Sequence, residues 1–181
     1  DKPYRYANLE VHPHHPHLIV SVLENHTVDN PADITNYLAL INTKSKTVSP
    51  LLTGADFYAL PKFSPDGTRL AWNQWYHPDM PWGGQIFVAD VIVSDDQESL
   101  STSNAKHIAG EKGKVATGYP SWANNNTLLF TSDESGYSNP WKFDVARGKA
   151  SPIFAQPIAQ DFAEPMWSLS MFPYVVTDTA G

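Results

Sequence analysis

One ten-residue pattern recurs along this chain, and no other feature narrows its fold as far. Its best-formed copy is FSPDGTRLAW, residues 63–72. An apolar residue closes one extended segment, and a tight turn follows in which Pro65 presets φ and Gly67 takes positive φ. Leu70-Ala71-Trp72 then opens the next segment. VHPHHPHLIV (11–20) superposes on it without a gap, which places His14-His15 on Asp66-Gly67 and His17 on Arg69. WANNNTLLF (122–130) fits with one deletion, and WSLSMFPYVV (167–176) fits a fourth time. The anchors Val11, Phe63, Trp122 and Trp167 stand 52, 59 and 45 residues apart. After each of the first three come a third apolar stretch (NYLALIN, QIFVADVIV, WKFDV) and a short fourth (TVSPLL, KHIAG, ASPIFA). Four antiparallel strands in every ~45–60 residues make a propeller blade.

The expected fold is therefore all-β: a partial propeller of four-stranded antiparallel blades, about three of them plus the start of a fourth. The blades are expected near 1–53, 54–114, 115–157 and 158–181. Fifteen prolines cut the chain into pieces too short for long helices. The polar run SDDQESLSTSNA (94–105) reads as a surface loop inserted in the second blade.

Bulk properties exclude several functions. A net charge of −7 argues against a nucleic-acid surface. No stretch reaches the ~18 apolar residues of a membrane-spanning helix. The absence of cysteine rules out disulfides and thiolate metal sites, and it mildly favours a cytoplasmic setting over a secreted one. The sequons at Asn25 and Asn125 keep secretion, with N-glycosylation at those two residues, as the alternative.

Four histidines within six residues (His12, His14, His15, His17) suggest a metal centre. The repeat offers a plainer account, since they fill the turn between the first two strands of a blade. Neither a metal nor any other cofactor is expected. Asp66 and Asp133 read as turn formers, and Trp72 and Trp122 as packing between blades. His77 lies in the proline-stiffened stretch YHPDMPW; there it either binds substrate or fixes the loop through hydrogen bonds.

The continuation NQWYHPDMPWGGQIFVADV (73–91) carries a W-x-H-P-x-M-P-W element from Trp75 to Trp82. Together with FTSDESGYSNPWKFDVARGK (130–149) and DFAEPMWSL (161–169), and with TolB-like repeats throughout, it resembles the N-terminal propeller of prolyl oligopeptidase-family serine hydrolases. The resemblance is to the acylaminoacyl-peptidase and dipeptidyl-aminopeptidase-like branch. Pro140-Trp141 stands where that family has an apolar–aromatic pair.

The resemblance implies a two-domain enzyme in which the propeller gates an α/β-hydrolase domain and helps select its peptide substrates. It also suggests His77, Glu134 and Glu164 as substrate contacts, the glutamates by loose analogy with propeller carboxylates that read a free amino group. The chain has no G-x-S-x-G nucleophile elbow and no βαβ alternation, so no catalytic residue is assigned to it. The implied partners are the hydrolase domain of the parent protein and a peptide. Self-association is expected of a segment whose end blades lack neighbours. Two readings from other classes remain: a stand-alone TolB-like propeller that binds a protein or small ligand, and a lectin-like secreted structural protein.

Overall fold

The structure, a computed structural model, describes residues 3–28, 30–164, 166 and 172–177. Among the described residues twelve strands form three four-stranded antiparallel sheets, each a simple meander. The first blade holds β1 (Tyr4–Val11), β2 (Leu18–Asn25), β3 (Thr35–Asn42) and β4 (Thr47–Leu52). The second holds β5 (Phe57–Phe63), β6 (Arg69–Trp75), β7 (Gln85–Val93) and β8 (Leu100–Ala109). The third holds β9 (Thr117–Asn124), β10 (Thr127–Ser132), β11 (Asn139–Asp144) and β12 (Lys149–Pro152). No helix among the described residues is long and apolar enough to cross a membrane. The expected fourth unit lies largely outside the described residues, Trp167 and Leu169 included, and residues 172–177 take no strand.

Each inner strand bends at the same place. Asn8, Leu60 and Tyr119 have φ of 49°, 50° and 57°, and each stands three residues before its anchor, Val11, Phe63 or Trp122. The ladder to the neighbouring strand slips at each of these points. Left-handed backbone is unusual for leucine or tyrosine, so the surrounding packing holds it. The bulges bring the inner strands together, and the Asn8 Oδ1 accepts the Leu60 amide across two blades.

Period-two alternation decides which blade each residue touches. Leu18, Val20, Val22, Leu38 and Leu40 of the first blade meet Phe63, Leu70 and Trp72 of the second. From the opposite face of the second blade, Ala71, Ile86 and Val88 meet Trp122, Leu128 and Phe130 of the third. Trp72 and Phe130 are essentially fully buried, and each contributes about 2–3 kcal/mol of burial. Polar links reinforce the seams: Lys62 Nζ sits 2.7 Å from Glu10 Oε2, and the Trp122 indole donates to the Lys62 carbonyl.

Three expectations change here. The first concerns register. Val11 pairs with Ile19, but Phe63 pairs with Leu70, so the first blade's turn is one residue longer than the second's. The ungapped superposition is therefore off by one, and Ile19, not Leu18, is the counterpart of Leu70. A one-residue slip swaps sheet faces, which is why Leu18 and Val20 point toward the next blade while Leu70 and Trp72 point toward the previous one. His17 consequently has no counterpart in Arg69; its Nε2 lies 2.7 Å from the Gln97 carbonyl in the neighbouring blade.

The second concerns the polar run 94–105, which is a loop only over 94–99. From Leu100 onward it is the edge strand β8, with Ser101, Thr102 and Ser103 paired to Ile92, Val91 and Asp90. Buried Leu100 pins the strand, and its polar residues suit an edge that faces water. The third concerns Tyr174, which the repeat places in the end unit expected to lack a neighbour. Its hydroxyl donates to the Tyr119 carbonyl, and burial pushes its phenol far above the ordinary value.

The histidine turn is held from inside by His12, only 3% exposed. Its Nδ1 accepts the amides of His14 and His15, both at 3.2 Å. The ring lies 4.9 Å from the Phe63 ring, and its outer edge rests on Gly67, where a Cβ would stand 2.5 Å from Cε1. Burial, followed by the neighbouring charge of His15, lowers the His12 pKa below 6.5. The ring thus works as a turn cap. No group of three or more potential metal ligands occurs among the described residues.

Candidate functional site

The meander sends its connections to two ends. The turns between first and second strands, with the histidines and Asn125, share one end with the turns between third and fourth strands. The links between second and third strands (26–34, 76–84, 133–138) share the opposite end with the segments following each fourth strand (53–56, 110–116, 153–164). His77, Glu134 and Glu164 all fall at this second end, so the fold gathers the three sequence candidates on one surface. By sequence its connections carry nine carboxylates against two lysines, whereas those of the histidine end carry four against three cationic side chains. The second end is therefore the acidic one.

His77 stands where the first two blades meet. Its amide donates to Asp56 Oδ2 at 2.8 Å, its Nδ1 lies 3.3 Å from the same oxygen, and its carbonyl accepts from Lys112 Nζ. These bonds fix the proline-rich loop, as the structural reading of His77 expects. The ring nevertheless stays largely exposed and tilts over Phe57 at 4.9 Å. Phe57 in turn stacks on Trp75 at 5.3 Å and 11°. Beneath them opens a cavity of about 410 Å³, whose apolar wall is Phe57, Tyr58, Trp75, Met80 and Met166. Burial raises the Tyr58 phenol, while its hydroxyl accepts the Ala55 amide and pulls it back.

A second cavity of about 210 Å³ lies between the second and third blades and shares Pro81 and Met166 with the first. Glu164 and Asp133 line it. The Glu164 carbonyl accepts the Tyr119 hydroxyl, whose pKa is raised by burial and then by the Glu164 charge. The Asp133 turn closes through its carbonyl, which accepts the Gly136 amide, while its side chain, expected to form the turn, instead accepts the Ala116 amide from the segment before β9. Glu134 sits exposed in the adjoining loop, with its amide on Ser132 Oγ, and lines neither cavity. Geometry thus brings His77 and Glu164 to neighbouring cavities and leaves Glu134 at the rim.

The sequons differ in setting. Asn25 lies at the acidic end, and its Oδ1 accepts the Thr27 amide. Asn125 is tied into a seam, its Oδ1 accepting the Asp66 amide and its carbonyl accepting from Arg69. At that turn Asp66 works against some burial, but hydrogen bonds from Ser64 and Thr68 hold its carboxyl below the ordinary range.

Sequence reasoning missed the carboxylates at the larger cavity: Glu24 and Asp79 line it, and Asp56 holds His77 beside it. A signal exists for the first of them. Along β2 the residues facing the second blade are Leu18, Val20 and Val22, and the next on that face is Glu24, an acid in an otherwise apolar stripe.

No family model and no curated protein matches the chain. Solved structures do. A puromycin-hydrolysing peptidase from Mycobacterium tuberculosis is 28% identical with a TM-score of 0.82, over 96% of this chain and 26% of that one. A puromycin hydrolase is 25% identical with a TM-score of 0.77, over 93% of this chain and 25% of that one. The β-propeller domain of the Trilobed protease from Pyrococcus furiosus, 20% identical with a TM-score of 0.54, matches 84% of this chain and 45% of its own length, and supports the fold alone. The chain spans about a quarter of the length of the two puromycin-hydrolysing enzymes. Motifs, meander blades and structural likeness agree: the chain is a β-propeller segment similar to those of the puromycin-hydrolysing peptidases of the prolyl oligopeptidase family.

Proposed function

We propose that this segment serves a serine-type peptidase, in which its acidic end faces the catalytic domain and helps admit and select peptide substrates. The observation that carries the reading is the likeness to two puromycin-hydrolysing enzymes of about four times the matched length. The convergence of His77, Glu164 and two cavities on one end of the blades supports it. The segment itself supplies no nucleophile elbow, so its contribution is to binding and access.

The test uses the full-length parent enzyme. Replacing residues 76–84 by a short Gly-Ser link should change KM and the ranking of peptides of different length and first residue. The kcat for a minimal chromogenic ester should change little. An unaltered ranking across the peptide series would exclude the role. The isolated 181-residue chain should take no label from a fluorophosphonate probe, and a labelled serine in it would contradict the assignment.

A further inference from the structure

We infer that His15 and His17, in the turn between β1 and β2, form a two-imidazole site for a borderline divalent ion of the zinc, nickel and copper(II) class. The site lies at the end opposite His77 and Glu164 and does not depend on the role proposed for them. The sequence assigns no metal to this turn, but in the fold its four rings are not equivalent.

Two of the rings are unsuitable. His12 has both nitrogens committed: Nδ1 accepts two backbone amides, and Nε2 is buried against Gly67. His14 is exposed, and its ring faces that of His12, 6.3 Å away.

His15 and His17 are both part-exposed, with ring centres 6.2 Å apart and planes at 89°. Two imidazoles on one ion place their centres at most about 6.4 Å apart, from metal–nitrogen bonds of about 2.0–2.1 Å plus roughly 1.2 Å to each centre. The observed spacing falls inside that limit, and rotating the His15 side chain narrows the angle at the ion. The His17 tautomer is already suited to a ligand. Its Nε2 lies 2.7 Å from the Gln97 carbonyl, which can only accept, so in the neutral ring Nε2 carries the hydrogen and Nδ1 keeps the lone pair. A carbonyl on the far nitrogen is the usual outer support of a metal-binding histidine.

The backbone beneath the pair is fixed before any ion arrives. The His15 amide rests on His12 Nδ1, and its carbonyl accepts the Leu18 amide at 2.8 Å. The His17 carbonyl accepts the Thr43 amide at 2.9 Å, and Pro13 and Pro16 restrict φ within the turn. Little ordering is left for binding to oppose. Charge favours a cation as well. Asp95, Asp96 and Glu98 flank Gln97, and the lysine that pairs with this loop is Lys44, 3.7 Å from Glu98. With two protein ligands and solvent completing the shell, the ion is exchangeable. Imidazole nitrogen selects zinc, nickel or copper(II) over magnesium and calcium.

The test uses the 181-residue chain purified without a histidine tag. Calorimetry with zinc chloride and with nickel chloride should give saturable binding. Substoichiometric copper(II) chloride should first broaden the NMR signals of residues 14–18 and 96–98, which lie on two different blades. His15→Gln and His17→Gln should each weaken binding about ten-fold or more, the least expected for removing even an outer partner. His14→Gln and His107→Gln should leave it unchanged, and magnesium or calcium chloride should not move the signals of this turn. Copper broadening that starts elsewhere, binding that survives in both His15→Gln and His17→Gln, or equal loss in His14→Gln would each overturn the inference. The copper map is read on the unaltered chain, so it judges the site even where a variant loosens the turn.

Discussion

Replacing His12 probes how the first blade is closed and joined to the second. In the native turn one imidazole nitrogen accepts two backbone amides, and the ring fills the space between Phe63 and Gly67. His12→Ala leaves both amides without their acceptor in a part-buried turn. At about 0.5–1.5 kcal/mol for each lost bond, with lost ring packing in addition, the expected destabilisation is about 2–3 kcal/mol. His12→Asn keeps an oxygen that can accept the same amides in an Asx turn, so it should recover roughly half of that loss.

Acid should act through the same atom. The Nδ1 is an acceptor only while the ring is neutral, and burial holds the folded pKa below 6.5. Below pH 6.5 the unfolded chain takes up a proton that the folded turn resists, so the His12 contribution is complete above 6.5 and declines as pH falls toward the lowered folded value. The assay is urea unfolding followed by tryptophan fluorescence at pH 7.5, 6.5 and 5.5, for wild type and His12→Asn. Subtracting the variant removes the titration of the other six histidines. The stability advantage of wild type should shrink between pH 6.5 and 5.5. An advantage that stays constant across the three pH values, or an alanine variant as stable as wild type, would refute the capping argument.

Gly67→Ala should lower stability by about 2–4 kcal/mol, because φ is +71° and the new Cβ would press on the His12 ring; a thermal melt reads this directly, and an unchanged Tm would show that the turn yields easily. Sedimentation velocity on the isolated segment should show self-association, since Tyr4, Tyr6 and Val11 sit exposed on the face of the first blade turned away from the second. Tyr6→Lys should reduce it, and a single monomeric species for wild type would count against an open face.

The propeller was legible because its information is local and repeated. A turn with Pro and Gly, flanked by alternating apolar residues, states strand, turn and strand within ten positions, and several copies confirm one another. Register was less legible, since His12-Pro-His-His-Pro-His17 and Ser64-Pro-Asp-Gly-Thr68 differ by one residue with nothing in composition to mark it. Only the pairing of Val11 with Ile19 reveals the slip. The strand over Leu100–Ala109 was hidden because an edge strand exposed to water need not be apolar. The larger cavity was harder still. Phe57, Trp75, Glu24 and Asp79 come from four elements, and their convergence depends on how two blades meet.

The repeated bend in the inner strands has a consequence for how such a chain can change length. From Asn8 to Val11, Leu60 to Phe63 and Tyr119 to Trp122 the count never varies, although the blades differ elsewhere by one or two residues in the first turn and by several in the outermost strand. Those four-residue runs act as a ruler set against the axis. One residue added inside a run would rotate the anchor to the wrong face and displace its neighbour's core. The same residue added at 94–99, on the outer margin, moves nothing beyond its own turn. Tags, labels and grafted loops belong at that margin, and the chain's tolerance for them should rise steadily with distance from the bends.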